Sequence, residues 1–147
     1  MRHSLLVAAS ALLIVSPAGA QSGAPAAAPA AQLDSAATIA TGRRYTEWFY
    51  NDLGDSIMAH SSAQVKEKVT AAQLSEFQGQ LISQVGSEVE VISERYVSRD
   101  TLSAYLREAR FEMMDEPLVV AFTLGASGDI YGFFIRPKSQ MPADDPQ

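Results

Sequence analysis

The chain has 147 residues, no cysteine, and 17 Asp and Glu against 11 Lys and Arg, for a formal net charge of −6. That balance excludes a nucleic-acid binder, which needs a basic face to neutralise phosphates, and it disfavours docking on anionic membranes. The missing cysteines exclude a disulfide framework, so the fold must stand on its core alone.

The chain opens with a short basic beginning, Met1-Arg2-His3, then an apolar run from Leu5 to Val15, then the small-residue end Ser16-Pro17-Ala18-Gly19-Ala20. Ala18 and Ala20 supply the small-x-small pattern of a signal cleavage site. Residues 1–20 therefore read as a secretory signal peptide, with cleavage between Ala20 and Gln21. The apolar run, as a helix, reaches about 16 Å against roughly 30 Å of bilayer hydrocarbon, too short for a comfortable span. Without a cysteine at the cleavage site there is no lipid attachment. The expected product is periplasmic or secreted, with no membrane contact after cleavage.

Residues 21–33 are rich in Ala, Pro, Gly and Ser and read as a flexible linker. Asp34 or Ser35 can cap a first helix running to about Asn51, with Ala37, Ala40, Thr41, Tyr45, Trp48 and Phe49 on one stripe. A short second helix fits 55–61, and the stretch through Lys68 is left open. Thr70 opens a third helix with Gln73 completing a capping box. Leu74, Phe77, Leu81, Ile82 and Val85 fall at helical spacing, and Gly86 ends it. The period then changes to two, and strands are expected at 88–98, 102–114, 117–124 and 130–136. Short connections imply an antiparallel meander. Residues 138–147 form a polar, Pro-punctuated tail. The fold class is α+β, three N-terminal helices on one face of a four-stranded antiparallel sheet, in a single domain over 34–137.

The more apolar face of each strand should meet the helices. In the first strand that face carries Val89, Val91, Ser93 and Arg95; in the second, Tyr105, Arg107, Ala109, Phe111 and Met113. Arg95 and Arg107 are thereby placed on the buried side, where a guanidinium needs a partner or a wet cavity. One account pairs them with helix carboxylates such as Glu47 or Asp55. The other presents Arg107 to a small polar or anionic ligand in a pocket walled by Tyr45, Trp48 and Tyr105. The last two strands are apolar on both faces, so a cover is expected, either a homodimer through the sheet backs or an exported partner protein.

Catalytic constellations are not evident. Only His60 lies beyond the signal segment, and it reads as a helix-surface residue; no phosphate loop, zinc motif or nucleophile elbow appears, so no metal or cofactor is expected. Asp52, Asp55 and Glu47 are the carboxylates that could serve as a base at a pocket mouth; helix-end capping and solubility are the plainer account of them.

The run Thr70-Ala71-Ala72-Gln73-Leu74 through Gln84-Val85-Gly86, with Val119-Val120-Ala121-Phe122 and Gly128-Asp129-Ile130-Tyr131-Gly132-Phe133 near the end, resembles small exported bacterial domains of the nuclear-transport-factor-two-like class. This class is also called cystatin-like or ketosteroid-isomerase-like. The resemblance is to the uncharacterised family found ahead of α/β-hydrolase or β-lactamase-like modules. It implies helices packed on a conical antiparallel sheet and transfers no catalytic residue. Two functional readings are open. The first is a non-catalytic binding or interaction domain, dimeric or docked on a partner. The second is a small isomerase or dehydratase with a carboxylate base in an aromatic pocket.

Overall fold

The computed structural model describes residues 31–142. The expected signal peptide, most of the expected linker and the end of the tail lie outside the described residues. Four helices precede four strands: α1 (Ser35–Tyr50), α2 (Gly54–Ala59), α3 (Ala63–Lys66), α4 (Ala71–Val85), β1 (Glu88–Arg99), β2 (Leu102–Phe111), β3 (Leu118–Leu124) and β4 (Ile130–Pro137), with a 3-10 turn at Lys138–Gln140. The strands form one antiparallel sheet in the order β1-β2-β3-β4. The short α3 occupies the stretch that the periodicity leaves open. No helix among the described residues is long and apolar enough to cross a membrane.

Local chemistry accounts for the helix ends. The Asp34 carboxylate accepts from the Ala37 amide and caps α1. At α4 the Thr70 hydroxyl accepts from the Gln73 amide, and the Gln73 side chain returns to the Thr70 amide, a complete capping box. Gly86 ends α4 with a φ of 75°.

The buried stripe of α1 is Thr38, Gly42, Tyr45, Thr46 and Phe49, so the expected stripe is corrected: Ala40 is exposed and small polar residues face the sheet. The reason is close approach. A Cβ on Gly42 would stand 2.1 Å from the Tyr105 ring, so the helix backbone lies directly on the Tyr105 side chain of the sheet. The Thr46 hydroxyl donates to the Gly42 carbonyl, 2.9 Å, and so needs no partner from the sheet. The main core gathers Tyr45, Phe49, Ile57, Leu74, Tyr105, Val120, Phe122, Leu124 and Ile130; a second cluster holds Val85, Ala109, Phe111 and Leu118.

The face of β1 also differs from expectation. Two bulges interrupt its pairing with β2, between Glu88 and Glu90 and between Val91 and Ser93. Glu88 stands opposite Phe111, Val91 opposite Ala109, Glu94 opposite Arg107 and Tyr96 opposite Tyr105. Residues directly opposite share a face, so Glu88 and Glu94 join Arg107 on the helix side. Arg95 stands opposite Leu106, on the outer face, and is exposed. Val89, Val91 and Ile92 are 41–59 % exposed. Alternation fails here because each bulge inserts a residue and reverses the parity of the strand beyond it.

On the outer face of β3, Val119 and Ala121 are 3 % and 4 % exposed within the one chain. Leu106, Glu108, Phe134 and Arg136 flank them across the ladder. The Arg136 guanidinium lies 4.8 Å from the Phe134 ring centre, and Lys138 pairs with Glu108 at 2.7 Å. These long side chains frame the small ones, so their burial requires no second copy.

Candidate functional site

Of the four residues singled out in the sequence, Tyr105 and Arg107 fall into one polar cluster between α1 and the sheet. Arg107 Nε donates to Glu88 at 3.0 Å, a second guanidinium nitrogen pairs with the same carboxylate, and Nη1 reaches Glu94 at 3.2 Å. The Tyr105 hydroxyl donates to Glu94 at 2.5 Å, and the Tyr50 hydroxyl to Glu88 at 2.9 Å. Arg43, from the solvent side of α1, closes on Glu94 through Nε at 2.9 and 3.0 Å. The expected pairing of Arg107 with helix carboxylates is therefore corrected, since its partners, Glu88 and Glu94, come from β1.

The electrostatics derive from this geometry. Hydrogen bonds from Arg43, then from Tyr105, outweigh burial and hold the Glu94 carboxyl down at about 2. Burial, then the hydrogen bond to Glu94, pushes the Tyr105 hydroxyl up to about 12. Burial and the Glu88 charge raise Tyr50. For Arg107 burial opposes the charge, but the bonds to Glu88 prevail and raise its pKa. Both carboxylates are engaged by arginine and tyrosine donors, so neither is a free base, and the guanidinium is committed within the chain.

A pH dependence of stability is the consequence. The Glu94 pKa lies below its ordinary 4.5, so its stabilisation is complete above pH 4.5 and lost as pH falls toward 2. The loss is expected to be on the order of 2 kcal/mol. Urea unfolding between pH 6 and about pH 2.5 checks it; Glu94→Gln should flatten that dependence, and an unchanged slope in the variant would refute the assignment.

Tyr45 and Trp48 form a different cluster. Their rings lie 5.4 Å apart, the His60 ring lies 5.1 Å from Trp48 and 6.0 Å from Tyr45, and the Tyr45 hydroxyl donates to the Gly128 carbonyl at 2.7 Å. Arg44 lies 5.3 and 5.4 Å from the Tyr45 and Trp48 ring centres. Tyr45 and Tyr105 share the main core, but their hydroxyls serve separate partners. His60 is exposed, as expected, at the C-terminal end of α2.

Glu47, Asp52 and Asp55 are all exposed. Asp52 and Asp55 border a shallow hollow with Gly54, Ala71, Ala72 and Ser75, and the Asp52 carboxylate accepts from the Ser75 hydroxyl. None of the three lines the larger cavity. No group of three or more metal-ligating side chains gathers among the described residues.

The larger cavity, about 520 Å³, opens between α2, α3, α4 and β4. Its walls are Ile57, Met58, Val65, Val69, Leu74 and Phe77 from the helical side and Ile130 to Phe133 from β4, with Ser61, Lys68 and Gln73 as its polar members. Backbone pairing sets its shape: the Ile130 amide donates to the His60 carbonyl and the Ser62 amide to the Ile130 carbonyl, both 2.8 Å. The α2–α3 connection is thus pinned to the start of β4. Phe77 and Tyr131 remain 40 % and 45 % exposed at this site. Sequence reasoning misses this pocket because Phe77 sits on the apolar stripe of α4 and reads as core; the open stretch before Thr70 is the available signal.

Compared with protein-family models, curated proteins and solved structures, the chain finds no match in any of the three.

Proposed function

We propose that the chain is an exported, non-catalytic binding domain that holds a small, largely apolar ligand in the pocket beneath α4. The observation that carries this reading is the pocket itself. Its volume falls in the few-hundred-Å³ range of small-molecule sites, its walls are apolar, and two large hydrophobic side chains stand exposed at it. The leading segment and its Ala-x-Ala end support export. Helices ahead of an antiparallel meander support a cystatin-like, nuclear-transport-factor-two-like domain. The isomerase reading loses support because Glu47, Asp52 and Asp55 face solvent and Glu88 and Glu94 are held by arginines.

The test is binding of a neutral apolar fluorophore, N-phenyl-1-naphthylamine, to the wild-type protein and to Val65→Trp. Val65 is half-buried on the pocket wall, so the larger ring fills the cavity without entering the main core. Saturable enhancement in the wild type and its loss in a folded Val65→Trp are expected. Absence of binding, or equal binding by both, would sink the reading.

A further inference from the structure

The charge on the pocket wall narrows the ligand class. Among the described residues Lys68 is the only charged side chain that lines the cavity, and no carboxylate does, although acidic residues outnumber basic ones in the chain. Two other polar groups of the wall are already engaged: the Ser61 hydroxyl donates to the Ile57 carbonyl at 2.9 Å, and the Gln73 side-chain oxygen closes the Thr70 cap. Lys68 has no ion-pair partner among the described residues, whereas nearby Lys66 reaches the Ala59 carbonyl at 3.3 Å. The backbone fixes Lys68 in place. Its amide and that of Val69 both donate to the Val65 carbonyl at 3.0 Å, and Val69 packs on the core. The stem can lie along the apolar wall while the ammonium stays at the wet mouth.

We infer that the ligand is a monoanionic amphiphile, a free carboxylate on an aliphatic or aromatic body, with its body in the cavity and its anion on Lys68. This rests on the reading of the cavity as a ligand pocket. The cavity has room for a body of on the order of ten to fifteen heavy atoms. In a chain of net negative charge, the lysine of the pocket wall supplies orientation as well as attraction.

The experiment is calorimetric titration of the full chain, near neutral pH and below micellar concentrations, with decanoate and with 1-decanol as its neutral counterpart. Lys68→Met, which keeps the stem and removes the charge, is expected to weaken decanoate about two- to fivefold, as for a solvent-facing ion pair, while changing decanol affinity far less. Lys68→Glu is expected to weaken decanoate more strongly than Lys68→Met. Lys68 is exposed and makes no ion pair through its ammonium among the described residues, so both variants should fold, which circular dichroism checks. Equal affinities for decanoate and decanol, insensitive to position 68, would overturn the anion inference and leave the pocket reading standing. No binding of either compound would overturn both. Binding to phosphatidylglycerol vesicles without binding of free decanoate would also overturn it, by assigning the lysine to a lipid surface.

Discussion

Gly42→Ala is expected to destabilise the domain by about 3 kcal/mol, the upper range for forcing an extra carbon into a packed interior. The new Cβ would lie 2.1 Å from Tyr105 Cγ and 2.7 Å from its Cβ, so no rotation of the ring tip relieves the clash. Either α1 lifts from the sheet or Tyr105 moves. Lifting opens the core around Tyr45 and Phe49; moving Tyr105 breaks its bond to Glu94. Urea unfolding with circular dichroism measures the change, and a thermal midpoint lower by roughly 10–20 °C should accompany it. Gly79→Ala is the matched control. It lies in α4 with nothing within 4 Å of an added Cβ, and should stabilise by about 0.5–1 kcal/mol through helix propensity. If both changes move stability in the same direction, the close approach of α1 to the sheet is not the constraint described.

The second large effect is expected at Arg107. Replacing it with Met keeps most of the stem but leaves Glu88 and Glu94 on the same side of the sheet without the guanidinium between them. Their side chains are 12 % and 13 % exposed, so water compensates little, and a loss of about 3–4 kcal/mol is expected. Restoring neutrality should recover much of it: in Arg107→Met with Glu88→Gln and Glu94→Gln, two like charges no longer face each other. A double-mutant cycle between Arg107 and Glu88 should give a coupling of about 1–3 kcal/mol. Additive single effects would show that the ion pair is incidental to stability.

The parts of this fold legible in the sequence are those that depend on neighbours along the chain. Thr70 and Gln73 form the expected capping box, Gly86 ends α4, and the four strands lie close to their expected spans because turn residues and period-two alternation are local signals. The features that escape a sequence reading depend on partners distant along the chain. Gly42 belongs to the buried stripe of α1 only because Tyr105 lies beneath it. Glu88 and Glu94 share a face because the two parity reversals between them cancel; what the bulges change is the register, which sets Glu94 rather than Ile92 opposite Arg107, and no composition rule marks a bulge in a run such as Glu-Val-Glu-Val-Ile. Arg107 is recognisable as a guanidinium in need of partners, but those partners lie on the adjacent strand, where the more apolar set with Val89 and Val91 is expected to turn inward instead. The pocket draws residues from three helices and a strand, and its largest aromatic from the helical side, Phe77, carries the same local pattern as a core residue.

The bulges of β1 also bear on how the molecule behaves in company. β1 is an edge strand, and it carries Val89, Val91 and Ile92 exposed beside that edge. A straight edge strand of this composition offers a continuous row of amides and carbonyls, a template on which another chain can extend the sheet into an aggregate. The two skipped residues, Val89 and Ile92, break that row into short, mutually twisted pieces. The same irregularity that sets Glu94 opposite Arg107 thus keeps the apolar edge from recruiting further strands, so a variant engineered for a more regular β1 would trade solubility for pairing.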